Sequence, residues 1–114
     1  MLKSLLFAGT PEPPAMTNEE LAFAIERTIE LYRASSAEDP VHYYLRRHLL
    51  DLLMAQRLRA EKLLDIDATQ LQALIDKTEQ TRAQFAPTEV LQYDFRHHLY
   101  DLLSLQRQRA QAAA

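Results

Sequence analysis

The sequence predicts an all-α protein, an antiparallel four-helix bundle made of two repeated helical hairpins. The chain has a single glycine in its 114 residues, at position 9, and none follows. Alanine, leucine, glutamate, glutamine and arginine dominate the remainder, and these residues lose little free energy on entering a helix. Apolar residues recur every three or four positions, and one segment of the chain repeats after 50 residues.

The first helix is predicted at about 18–34 and the second at about 40–63. Thr17 and Glu20 have the spacing of a capping box in front of the first apolar series. Residues 36–39 form a second cap-like signal, and Pro40 is tolerated in the first turn of a helix. The second apolar series then extends to Leu63, which we expect in the core.

The third and fourth helices follow the same logic. Asp67 is placed to cap the third helix, which carries Leu71 and Ile75 on one side. Pro87 occupies the position expected for the first residue of the fourth helix, which extends to about 111. The apolar residues of that helix are Leu91, Phe95, Leu99, Leu102 and Leu103.

The internal repeat defines the domain. The segment of 18 residues that starts at Tyr43 aligns without a gap on the segment that starts at Tyr93, and 11 of the 18 pairs are identical. We expect repeat 1 at about 18–64 and repeat 2 at about 68–111, together one domain over 17–111. Short connections favour antiparallel neighbours. Residues 1–16 contain the glycine and three prolines and are expected to form a flexible arm.

Composition narrows the class of protein. Without cysteine there is no thiolate zinc site and no cysteine nucleophile, and a net charge of -3 argues against binding nucleic acid. No apolar stretch approaches the roughly 18 residues that cross a membrane. The apolar patch near the start ends before Gly9 and is too short for a secretory signal. We therefore expect a cytoplasmic protein that is not an enzyme and needs no cofactor.

A helical wheel places apolar side chains on the sides of the helices that face away from the predicted core. On the second helix these residues are spaced as a partner helix would require. A homodimer is the simplest partner, since twofold homo-oligomers are the commonest assemblies, and another protein is the alternative. The predicted interface residues are Phe23, Tyr43, Leu50, Met54, Leu58, Tyr93 and Tyr100.

Two other functions stay open as alternatives. His48 and Asp51 are repeated as His98 and Asp101, and two such pairs could supply nitrogen and oxygen ligands to a metal. Their positions on the wheel favour a boundary ion pair instead. An anion or RNA site is the second alternative, built from the arginines that end the second and fourth helices. These are Arg57, Arg59, Arg107 and Arg109.

One polar pair falls among the leucines of the predicted core. Gln56 lies in the apolar stripe of the second helix, and Gln106 takes the equivalent place in the fourth. A buried amide without a partner costs about 1–3 kcal/mol. We expect the two amides either to bond to each other or to reach a solvated end of the bundle.

Overall fold

The computed structural model describes residues 12–113 of the chain. Within this range it contains four α-helices and no strand, as the sequence predicts. Residues 1–11, which belong to the predicted arm, and residue 114 lie outside the described range. The elements are a 3₁₀ turn at Pro13–Ala15, α1 at Asn18–Ala34, α2 at Pro40–Ala60, α3 at Ala68–Ala83 and α4 at Val90–Ala113.

The chain divides into two compact units, Met1–Gln56 and Arg57–Ala114, and the division falls inside α2. In the described part of the first unit, the buried apolar side chains are Met16, Leu21, Ile25, Ile29, Leu45, Leu49, Leu52, Leu53 and Ala55. Met16 was predicted within the arm. It is instead buried directly after the 3₁₀ turn, and its N–H donates to the carbonyl of Pro13 at 3.2 Å.

The second unit has its own apolar core, in which α3 packs against α4. Leu74 and Leu105 pack against this core at its edge, and Phe85 stacks on Phe95 with ring centroids 5.7 Å apart. The last turn of α2 contributes Ala60 to this core, which accounts for a unit boundary within the helix. The core residues are Ala60, Ile66, Leu71, Ile75, Leu99 and Leu102.

The predicted helix starts at Thr17 and Asp67 are confirmed. Each side chain accepts a hydrogen bond from the N–H three residues later, at 3.1 Å for Thr17 and 2.8 Å for Asp67. The side chains of Glu20 and Gln70 accept the N–H of the cap in return, which completes two capping boxes. These bonds satisfy N–H groups that have no partner within the helix, and so fix where α1 and α3 begin.

Two predicted boundaries are wrong. The second helix ends at Ala60, and Leu63, which was expected in the core, is 65% exposed. Beyond Ala60 the chain turns, because the N–H groups of Asp65 and Ile66 both donate to the carbonyl of Lys62. This turn buries Ile66 in place of Leu63.

Pro87 is not the first residue of the fourth helix. It lies in a turn in which the N–H of Glu89 donates to the carbonyl of Ala86 at 3.0 Å, and α4 begins at Val90. Of the apolar residues predicted on the fourth helix, Leu103 is exposed, whereas Leu99 and Leu102 are buried.

Candidate protein-interaction surface

One side of α2 carries exposed apolar side chains, as the wheel predicts. Tyr43 is 63% exposed, Met54 52% and Leu58 50%, and Leu50 between them is half-buried. Spacings of seven, four and four residues place these four side chains, the α2 strip, along one side of the helix. The opposite side of α2 contains fully buried leucines: Leu45, Leu49 and Leu52.

The predicted interface residues on the other helices are also exposed. Phe23 projects from α1, and Tyr93 and Tyr100 project from α4. The ring centroids of Tyr93 and His97 are 4.4 Å apart, and the guanidinium carbon of Arg96 lies 5.7 Å from the centroid of the Tyr93 ring. Tyrosine suits an interface because its ring is apolar and its hydroxyl still forms hydrogen bonds.

Sequence reasoning missed several further exposed apolar residues. Leu64 is fully exposed beside Leu63 in the turn after α2, and Tyr44 is exposed beside Tyr43. Leu63 also lines a cavity of about 510 Å³ in the second unit, together with Leu71, Arg109 and alanines near the end of α4. A sequence signal that α2 ends at Ala60 would have predicted the exposure of Leu63 and Leu64. No glycine or proline marks that end.

The histidines of the metal alternative are not at the boundary, which corrects that prediction. His48 and His98 are both buried, whereas Asp51 is exposed and Asp101 is partly exposed. Among the described residues there is no group of three or more histidine, aspartate or glutamate side chains able to hold a metal. Asp101 instead pairs with the guanidinium of Arg57 at 3.2 Å.

Burial also governs the titration of His98. Removal from water lowers the pKa of this imidazole to about 4; the nearby Asp101 raises it and Arg57 lowers it. At neutral pH His98 is therefore uncharged. Sequence reasoning also missed Asp94, which is buried one turn before His98 on α4.

The arginines of the anion alternative differ in their surroundings. Arg57 faces Asp101, and the guanidinium of Arg109 donates to the carbonyls of Ala60 at 3.1 Å and Ile66 at 2.8 Å. Arg109 therefore fastens the end of α2 and the following turn to α4. Arg59 is partly buried and Arg107 is exposed. Arg57 and Arg109, which were predicted as anion receptors, thus already bind groups within the second unit.

The amide of Gln106, expected either to bond to Gln56 or to reach a solvated end, bonds to a residue of α3. Its Nε2 donates to the Oε1 of Gln72 on α3 at 2.8 Å. Gln56 is buried, whereas Gln106 is only partly buried, so the two positions are not equivalent in their surroundings. The hydrogen bond between the side-chain amides of Gln72 on α3 and Gln106 on α4 gives the Gln106 amide a partner at the edge of the second unit.

Ser35 and His42 lie within hydrogen-bond distance of each other at the end of α1. The Ser35 Oγ lies 2.7 Å from Nδ1 of His42. The His42 ring stacks on the ring of Tyr32, with the two centroids 3.8 Å apart. The Ser35 hydroxyl donates its one proton to the carbonyl of Tyr32 at 2.8 Å. In the tautomer that carries its proton on Nδ1, His42 donates to the serine oxygen while the hydroxyl donates to Tyr32.

No helix among the described residues is both long and apolar enough to cross a membrane. No family model matches the chain, and neither the curated proteins nor the solved structures contain a match.

Proposed function

We propose that this protein is a non-catalytic helical interaction module, an adaptor, assembly or regulatory factor that contacts another protein chain through the α2 strip. The observation that carries this proposal is the exposure of Tyr43, Met54 and Leu58 on one side of a helix whose other side is buried. Single apolar residues scattered on a surface are normal. A continuous line of them at helical spacing is typical of a face that a partner covers.

Burial of the α2 strip by a partner would contribute free energy to association. Burying an exposed tyrosine, leucine or methionine side chain contributes roughly 1.5–3 kcal/mol. Association costs several kcal/mol in lost translational and rotational freedom, so one such residue would not hold a partner. Several such residues together offset more of that cost, and a preformed helix needs no further ordering when it binds.

We further propose that the four helices form an antiparallel bundle of two repeated hairpins, with Tyr93 and Tyr100 of α4 as the counterparts of the α2 strip. The starts of α1 and α3, and those of α2 and α4, are each separated by 50 residues. Leu21 and Leu71 are both buried, as are Ile25 and Ile75. Matching starts and matching buried positions support this symmetry.

The proposed function is tested by placing charge on the α2 strip. In the double variant Leu50→Asp with Met54→Asp, two carboxylates would have to be desolvated on binding, so contact with a partner should be lost. Light scattering reports the assembly mass, affinity capture from the native host reports a different partner, and circular dichroism reports helicity. Leu64→Asp is the matched control, since Leu64 is fully exposed and lies outside the strip.

We expect the double variant to keep its helicity while the assembly mass falls or a captured host protein disappears. The Leu64→Asp control should behave as the wild type does. If the double variant keeps both the mass and the captured proteins of the wild type, the α2 strip is not an interface and the proposed function is wrong.

A further inference from the structure

The part of α2 that lies in the first unit has the residue spacing of a pairing helix. Tyr43, Arg47, Leu50 and Met54 follow one another at intervals of four, three and four residues. This spacing is that of the core positions of a coiled coil. Tyr43, Arg47 and Met54 are exposed and Leu50 is half-buried, so the helix presents this line outward.

The line is complementary to itself when two copies run in opposite directions. About a centre between Arg47 and Leu50, Tyr43 of one copy meets Met54 of the other, and Arg47 meets Leu50. The arginine would lay its aliphatic stem along Leu50 and keep its guanidinium at the rim. The twofold axis makes each contact occur twice, so a short line yields a larger interface.

Charge favours the antiparallel direction. Asp51 is exposed and lies one helical turn after Arg47, at the rim of the line. In an antiparallel pair each Arg47 approaches Asp51 of the other copy, which gives two opposite-charge pairs. In a parallel pair Arg47 would face Arg47, and like charges at an interface oppose association.

We propose that the partner of the α2 strip is a second copy of this chain, bound with the two α2 helices antiparallel and Tyr43 of each copy against Met54 of the other. This inference rests on the proposed function and names the occupant of the same surface. A second copy of the chain is available wherever the protein is made. Tyr43, Arg47, Leu50 and Met54 form both sides of the contact, one set from each copy.

Disulfide trapping tests both the occupant and the direction, and the chain contains no cysteine that would interfere. In Tyr43→Cys with Met54→Cys, each thiol should meet the other kind of thiol across the pair. The two positions are three turns apart, about 16 Å along one helix, which excludes a disulfide within one chain. Air oxidation in a thiol–disulfide buffer should convert most of this variant to a covalent dimer.

The controls are built on the same distance. Tyr43→Cys alone and Met54→Cys alone should stay uncrosslinked, because in an antiparallel pair identical positions lie far apart. Thr69→Cys with Gln80→Cys places two exposed cysteines at the same spacing on α3 and should also stay uncrosslinked. Efficient crosslinking of Tyr43→Cys alone would indicate a parallel pair and overturn the inference. Equal crosslinking of the α3 control and the α2 variant would overturn it as well.

A charge exchange gives a second test that leaves the apolar residues Tyr43, Leu50 and Met54 unchanged. Arg47→Asp sets two carboxylates against each other at both rims and should weaken self-association about tenfold. Adding Asp51→Arg restores opposite charges and should recover most of the loss, as measured by analytical ultracentrifugation. Failure of the exchange to recover any association would contradict the antiparallel contact.

The two proposals fail in different ways. If the wild-type chain stays monomeric but captures a host protein that Leu50→Asp with Met54→Asp loses, the second copy is wrong and the proposed function stands. If the wild type is monomeric and captures nothing through the strip, both are wrong.

Discussion

At the scale of single residues, the pKa of the buried imidazole of His98 departs far from its ordinary value with a clear physical cause. Its pKa falls to about 4 because burial removes the charged form from water, an effect that Asp101 only partly offsets. In the unfolded chain the same group has a pKa near 6.5. As the pH falls from 6.5 towards 4, the unfolded chain takes up a proton that the folded chain does not, and folding is progressively disfavoured.

We therefore expect acid to destabilise the wild type more than a variant that lacks this imidazole. Urea unfolding at pH 7 and pH 4.5 should show a loss of about 2–3 kcal/mol from His98 in the wild type. This loss should be absent in His98→Asn, although that variant is less stable at pH 7. The free energy of unfolding at the two pH values is the measurement.

His97→Asn is the matched control for the pH experiment, because His97 is the exposed neighbour of His98 on the same helix. It should lose as much stability on acidification as the wild type does. If His98→Asn loses just as much, the acid sensitivity comes from other groups and His98 is not the cause.

The arginines illustrate what residue types alone leave undetermined. Arg57 and Arg109 were predicted as one cluster because both lie near helix ends rich in cations. In the second unit, Arg57 instead forms an ion pair with Asp101, and Arg109 donates hydrogen bonds to two main-chain carbonyls. A helical wheel does not predict either contact. Such contacts depend on where the turn after α2 places its carbonyls, and the wheel describes one helix at a time.

At the scale of the helices, the sequence predicted the two capped starts, of α1 and α3, better than the end of α2 or the start of α4. Thr17 and Asp67 carry their signals within three residues, because a capping box is a local set of hydrogen bonds. The end of α2 has no such signal. Its apolar series continues to Leu63, whereas the helix stops at Ala60 and the turn that follows buries Ile66 in the second unit.

The α2 strip was predictable because its exposure depends only on the geometry of one helix. Exposure of Tyr43, Met54 and Leu58 follows from helical geometry once the buried side of α2 is known, and a wheel supplies that geometry. The burial of His48 and His98 was not predictable in this way. Each histidine lies at the edge of its leucine stripe, and its exposure depends on a neighbouring element that the wheel does not contain.

The cap of α3 should make a measurable contribution to stability. Asp67→Ala removes the acceptor for the N–H of Gln70 and should lower the free energy of unfolding by about 1 kcal/mol. Asp67→Asn keeps an oxygen acceptor of equal capping preference and should stay close to the wild type. Chemical denaturation of the three proteins is the measurement, and equal losses in both variants would mean that charge, and not the hydrogen bond, is what Asp67 contributes.

At the scale of the whole molecule, the proposed self-association links thermal stability to protein concentration. A dimer that dissociates when its chains unfold becomes more stable as concentration rises, because mass action favours the associated folded state. Each tenfold rise adds about 1.4 kcal/mol per dimer. For two chains of this length that corresponds to about 3 °C in Tm.

Calorimetry at a series of concentrations should therefore give a rising Tm for the wild type and a constant Tm for Leu50→Asp with Met54→Asp. The comparison separates a loss of pairing from a loss of folding, because a variant damaged in its core would show a lower Tm with the wild-type slope. A wild-type Tm that does not change with concentration would contradict the second copy as partner. Capture of a host protein through the α2 strip would then decide whether the proposed function stands.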